Sequence, residues 1–291
     1  MKPNSTAFGL MLSDELNRAL QGLVSRLGGE QFFDAVLDVL DAVVAIDSGG
    51  ALMFYRQQRP QGLLHRFEPA QRQLPPNIYS SGPYALDPQY HLFLQGRPSG
   101  AYWLKAIAPD DFYNSEYYLT FCSKIGVADS IDVMWRIDSD TAMIFFLQRR
   151  NDSHSFSERD VSALNAILPI VFDALARHYQ LSTSVPQMSG DDTTHLQVES
   201  TVQNFASSLL TPREREVLFY ILRGYSSALT AEHLATSDGT VKIHRKNIYR
   251  KLDIGSQAEL FSLFINCIPF ARPGSDSDPL ATYQSRRQQV V

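Results

Sequence analysis

Residues 210–266 read LTPREREVLFYILRGYSSALTAEHLATSDGTVKIHRKNIYRKLDIGSQAELFSLFIN, and they set out four helices with their punctuation. The first start is marked three ways. Thr211 can cap, Pro212 takes the first helical position, and Glu214 stands three residues after the cap as the partner of a capping box. Val217, Leu218, Ile221 and Leu222 then form an inward face, and Gly224 ends the helix. A shorter helix follows over about Ser227–Leu234, Ser237 can cap the next, and Ser256 with Glu259 opens the fourth. The third helix, about Asp238–Leu252, is the informative one. At about 100° per residue, Val241, Ile248 and Leu252 fall in one narrow stripe with His244 at its edge, while Lys242, Ile243, Lys246, Asn247 and Arg250 lie opposite. Between Gly239 and Leu252 there are five basic residues and no acidic one.

An α-helix has the width of the DNA major groove, so outward side chains can meet base edges while flanking cations neutralise phosphates. Ile243, set among lysines on the solvent side, is poorly explained by packing, whereas a thymine methyl would give it apolar contact. A solvated amphipathic helix whose charges share a sign would show the same run. From this helix alone the two readings stand nearly level.

The whole segment separates them. LTPREREVL, Gly224, AEHL, the run S-D-G-TVKIHRKNIYRKL and SQAEL stand at the spacing of the LuxR-type (GerE or FixJ-type) helix-turn-helix, which these residues resemble over about a fifth of the chain. The resemblance implies that Lys242, Ile243 and Lys246 face bases and that Thr240, Arg245, Asn247, Arg250 and Lys251 lie on the phosphate side. Two departures place hydroxyls where aliphatics usually pack: Ala228, Leu229, Thr230 and Ala231 replace a Lys-Glu-Ile-Ala-like stretch, and Thr236 replaces an isoleucine. In the fourth helix Ala258, Leu260, Phe261, Leu263, Phe264, Ile265 and Ile268 cover more than one face. A twofold partner, which the resemblance implies, and docking onto the rest of the same chain would each bury the excess.

Charge is divided along the 291 residues. Residues 201–272 carry nine Lys or Arg against six Asp or Glu, a net +3, and the tail is balanced, which leaves residues 1–200 at −8 within a total of −5. A basic module joined to an acidic body suits a polyanionic partner. In the body, residues 13–27 and about Glu30–Leu40 have helical spacing, and Val43–Ile46 with Ala51–Tyr55 around Ser48-Gly49-Gly50 reads as a hairpin. Ser130–Ile137 and Thr141–Gln148 around Asp138-Ser139-Asp140 read as a second, with Ile131, Val133 and Trp135 alternating against Asp132 and Met134. A long helix starts at Ser157 and turns Val161, Leu164, Leu168, Val171, Leu175 and His178 to one side. This order gives an α+β chain: an N-terminal antiparallel-sheet domain resembling GAF and PAS sensors over 1–181, and an all-α, four-helix helix-turn-helix domain over 205–269. Residues 182–204 read as a linker and 270–291 as a disordered tail.

Between Asn77 and Phe121 eleven of 45 residues are aromatic, mostly tyrosine, which offers a flat apolar wall with a polar tip. Tyr84, Asp87, Tyr90, Tyr102, Trp103 and Tyr117 are the candidate ligand-binding residues, although for each one alone an aromatic core explains as much. Asp87-Pro88 with Tyr84 and Tyr102-Trp103 resembles the acyl-homoserine-lactone domain of quorum-sensing LuxR regulators. The upstream tryptophan of that pattern has no counterpart from Leu74 to Tyr79. No GxSxG, GxxxxGK or HExxH motif is present, nor the acidic pair of a phosphorylated receiver. Cys122 and Cys267 stand apart, without metal-ligand spacing. Residues 7–12 lack the features of a secretory signal, and no apolar run approaches the ~18 residues of a membrane span.

The sequence therefore predicts a cytoplasmic, non-enzymatic, one-component transcriptional regulator without cofactor. Its expected partners are double-stranded promoter DNA, an unidentified small molecule, a second copy of the chain and RNA polymerase. The alternative is an adaptor whose helix-turn-helix surface meets an acidic protein.

Overall fold

β1 (Ser48–Tyr55) runs straight through two glycines that read as a turn. It pairs antiparallel with β5 (Thr141–Arg150) from Ser48–Gln148 to Tyr55–Thr141, and on its other edge with β2 (Gln61–Arg66). Gly50 has to be glycine there, because the Leu64 carbonyl and the Phe146 ring fill the space a Cβ would take. The hairpin expected between Val43–Ile46 and Ala51–Tyr55 does not form. The second expected hairpin does: β4 (Val127–Arg136) pairs with β5 in register from Arg136–Ala142 upward, and β3 (Gly100–Trp103) completes an antiparallel sheet of order β2-β1-β5-β4-β3. Both faces of its centre are buried, Ile131, Val133, Phe145 and Leu147 on one and Met134 and Ile144 on the other.

The computed structural model describes residues 13–66, 78–150, 153–182 and 193–288 and divides the chain into two compact units. The first, residues 1–46 and 157–187, holds α1 (Asp14–Ser25), α2 (Phe32–Val43) and α5 (Glu158–Leu181). Phe32 stacks on His178 at 4.0 Å with the planes 8° apart, and His178 Nδ1 accepts the Gly28 N–H. At 24 residues α5 has the length and apolar content to cross a bilayer, and one face of it, with Leu164, Leu168, Val171 and Leu175, is buried within the protein.

The second unit, residues 47–156 and 188–291, joins the sheet to the C-terminal helices. It contains α3 (Pro88–Leu94), α4 (Leu104–Ile107), α6 (Thr193–Asn204), α7 (Pro212–Leu222), α8 (Ser227–His233), α9 (Asp238–Leu252), α10 (Gln257–Cys267) and α11 (Pro279–Gln288). The start signals hold: Thr211 and Glu214 form a reciprocal capping box, and Gly224 leaves α7 at φ 86°. One apolar cluster runs from Phe54, Met134 and Ile144 through Tyr84 and Phe93 to Leu218 and Phe264. The boundary drawn at residue 181 thus does not separate the compact units.

The expected linker and the expected disordered tail are both corrected. Residues 193–204 of the supposed linker form α6, whose His195, Val198 and Thr201 recur every three residues and are buried, a period that its polar composition hides. The supposed tail forms α11. Asp278 accepts the Leu280 N–H at 2.9 Å and Pro279 opens the helix, a start signal within a stretch whose composition resembles a disordered segment. The same carboxylate accepts the N–H groups of Ala206 and Ser208 at 2.9 and 3.0 Å, holding Ala206 in the left-handed region at φ 58°. Residues 183–192 and 289–291 lie outside the described residues.

Asp278→Ala leaves the buried N–H groups of Ala206 and Leu280 unpaired and is expected to lower the unfolding free energy by about 1–3 kcal/mol. A urea midpoint equal to that of the wild type would show that the clasp is not structural.

Candidate nucleic-acid interface and sensor site

The orientation of α9 follows from what it buries. Val241, Ile248 and Leu252 are buried, and Ser237 caps the start by accepting the Thr240 N–H at 3.1 Å. The opposite face is open. Lys242, Ile243, Lys246 and Arg250 are exposed, Ile243 to 62%, the highest value among exposed large hydrophobics after Leu181 and Val24 and one that packing does not account for. Lys242 rests on Asp238 of its own helix at 2.6 Å, and Arg250 reaches Asn247 at 3.4 Å. Arg245 and Asn247 are half-buried flanks, and the Thr240 hydroxyl lies 2.8 Å from the capping Ser237.

Lys251 departs from its expected place on the phosphate side. Its ammonium donates to Glu214 Oε2 at 2.6 Å, and Thr211 donates to the same carboxylate through both N–H and O–H. Although burial alone would raise it, these donors hold the Glu214 carboxyl below its usual value. The pair braces α9 against α7. In α8 the Thr230 hydroxyl is buried without a partner among the described residues, the cost of the substitution seen in the sequence.

In the aromatic segment the structure separates candidates that the sequence could only group. Four of the six use their polar atoms on other parts of the protein. Tyr84 lies 2.9 Å from His195 Nδ1, Tyr90 donates to the Tyr55 carbonyl at 3.1 Å, and Tyr102 donates to the Pro98 carbonyl at 2.6 Å. Trp103 Nε1 donates to both carboxylate oxygens of Asp129, at 2.9 and 3.0 Å. Asp87 and Tyr117 remain together. Asp87 caps α3 through the Gln89 N–H at 2.8 Å and accepts from Tyr79 at 2.7 Å, and Tyr117 stands close enough to help hold its charge. Burial raises its carboxyl against the pull of these three groups.

Three participants escaped the sequence reading: Tyr79, Asp129 and Asp132. Alternation places Asp132 on the face opposite Ile131 and Val133, and in the sheet that face is buried as well. The apolar residues Met134, Ile144 and Phe146 around it were the available signal.

The segment after this cluster grips the helix-turn-helix. Asp110 accepts both the N–H and the O–H of Ser226, the cap of α8, and the Asp111 N–H donates to the Gly224 carbonyl at 3.1 Å. Gly224 has no room for a Cβ, because Phe112 Cα would stand 2.8 Å from it. Nearby, Ile265 and Ile268 of the segment around α10 approach Gly82, and Phe270 meets Tyr283 of α11 edge-on at 5.4 Å. Contacts within the chain therefore take up part of the apolar excess of the fourth helix.

Comparison with known proteins agrees with this geometry. The family model of bacterial regulatory proteins of the luxR family matches residues 208–264. An HTH-type transcriptional regulator of the exeN 3′ region of Aeromonas salmonicida is 30% identical over 197 residues, 66% of this chain and the whole of that protein. The response regulator TodT of Pseudomonas putida is 45% identical over 58 residues, 20% of this chain and 25% of that one. Among solved structures, the VqsR LBD domain of Pseudomonas aeruginosa covers 57% of this chain and 96% of its own with a TM-score of 0.50 at 22% identity, a likeness of fold.

Lys251→Ala is expected to lower the thermal unfolding midpoint while leaving the slope of log affinity for DNA against log salt unchanged. A shallower slope would return Lys251 to the phosphate contacts.

Proposed function

Since the chain belongs to the LuxR family of helix-turn-helix transcriptional regulators, we propose that α9 reads promoter DNA in the major groove and that a small molecule held in the aromatic segment governs it. Binding of DNA through the helix-turn-helix is the family's activity. The base-reading roles of Lys242, Ile243 and Lys246 and the phosphate roles of Thr240, Arg245, Asn247 and Arg250 are our assignment. The observation that carries it is the pairing of a buried stripe, Val241, Ile248 and Leu252, with an exposed face of three cations and one isoleucine. Two such helices from a dimer would meet half-sites about 34 Å apart. A transcription factor of this kind works in the cytoplasm and performs no catalysis.

Regulation then resides in the grip of the sensor segment on the helix-turn-helix. The first helix of such a motif crosses the DNA backbone. In this structure the Asp110 carboxylate occupies the start of that helix, where its charge opposes an incoming phosphate. Tyr84 and His195 link the aromatic segment to α6. A ligand that binds the gripped and released states with different affinity shifts their populations.

Lys246→Ala should weaken binding to a specific site by about 1–3 kcal/mol and relax the sequence preference at one position. A loss that is uniform across sequences would remove it from the base contacts. Asp110→Asn should tighten DNA binding of the ligand-free chain several-fold in a gel shift at fixed salt. Unchanged affinity would show that the grip does not restrain the helix-turn-helix.

A further inference from the structure

One buried carboxyl in this segment, that of Asp132, has no polar partner among the described residues. Asp132 of β4 is only 8% exposed, and among the described residues it receives no hydrogen bond and no ion pair. Across the sheet it stands in register with Phe146 of β5 on one side and Tyr102 of β3 on the other, and Gly50 of β1 continues the row. The missing side chain at Gly50 gives the Phe146 ring its place beside this row. Asp87 lies close enough to interact electrostatically with Asp132, and so do the hydroxyl of Tyr79 and the thiol of Cys122. Burial drives the Asp132 carboxyl well above the carboxylate range, and the Asp87 charge adds to this. The described residues thus bring two carboxyls together without a cation.

A buried carboxylate with no partner costs several kcal/mol, so proteins pair such groups or keep them neutral. For Asp87 the donors are in place: Tyr79 and the Gln89 N–H, with Tyr117 nearby. For Asp132 they are absent, although asparagine or serine would fit the strand equally well. What would complete the site is a group that brings hydrogen-bond donors and positive charge together. A neutral amide supplies a donor and leaves the charge. A primary ammonium supplies three donors and a full unit charge, and the faces of the surrounding aromatic rings solvate it further by cation–π attraction.

We propose that Asp132, seconded by Asp87 and flanked by Tyr79, Tyr102, Tyr117 and Phe146, forms the anionic floor of a site for a small organic ammonium ligand. The proposal rests on the reading of the aromatic segment as the small-molecule site and gives that ligand a chemical class. It also assigns Asp132 a duty that stability alone does not require.

The test uses the full-length protein and matched pairs of probes: ethanolamine with ethylene glycol, butylamine with butanol, and 2-phenylethylamine with 2-phenylethanol, together with a neutral N-acyl homoserine lactone. Thermal shift and calorimetric titration are expected to show at least one amine bound tenfold or more tightly than its alcohol. Asp132→Asn should abolish that preference while raising the melting temperature of the free protein, because folding no longer has to bury a carboxyl that ionises freely in the unfolded chain. Asp132→Ser serves the same purpose should the asparagine variant fail to fold. If no amine binds better than its alcohol, or if Asp132→Asn lowers the melting temperature and keeps the preference, the ammonium site is overturned. Binding of an alcohol or of the lactone in those circumstances would leave the small-molecule reading standing. Loss of every probe's binding, with DNA affinity indifferent to all of them, would count against both.

Discussion

The packing of Val241, Ile248 and Leu252 into the core of the C-terminal helices is the constraint from which the rest follows. Each such side chain contributes roughly 1.5–3 kcal/mol on burial, and together they fix the rotation of α9 about its axis. Once that rotation is set, Lys242, Ile243, Lys246 and Arg250 have only solvent or a ligand to face. The surrounding structure holds the helix to this position. Ser237 secures its start, and Lys251 ties its last turn to Glu214, which belongs to the capping box of α7. An assembly so braced can present its outer face to DNA without reorganising, which spares the ordering cost of association.

The acidic excess of the first 200 residues acquires a meaning at specific carboxylates. Asp87 caps α3, Asp160 completes the capping box of α5, and Asp129 accepts the indole of Trp103 and the backbone of Phe156. Asp110 reaches from the segment after the aromatic cluster to the cap of α8. In each case a carboxylate satisfies donors that would otherwise be orphaned, and the charge is offset by aligned N–H groups. Asp132 breaks the pattern. A site that departs from the rule followed elsewhere in the chain is where function is to be sought.

Much of the C-terminal architecture was legible because its signals are local. Thr211, Pro212 and Glu214, or Ser237 before Asp238, specify helix starts within a few residues, and the 3.6-residue period assigns the faces. The tip of the second hairpin was legible for the same reason. β1 was not, since Ser48-Gly49-Gly50 is ambiguous until the distant Phe146 comes to lie where a side chain would be. Asp132 was hidden by the assumption that a strand alternating in polarity has one wet face. Lys251 and Arg250 are equal as cations in the sequence, and only the position of Glu214 on α7 separates them. Composition misled at both ends of the helix-turn-helix, where polar stretches fold because Val198 and Leu280 find the core and Asp278 finds donors.

The claim on which everything else rests is that the outer face of α9 reads a DNA sequence. Selection of bound duplexes from a randomised pool by the full-length protein, followed by hydroxyl-radical footprinting of the enriched DNA, tests it most directly. The account requires an enriched sequence with two related half-sites and backbone protection on one side of the duplex, repeated after one helical turn. A pool that stays random through successive rounds, with binding that responds to salt alone, would contradict it.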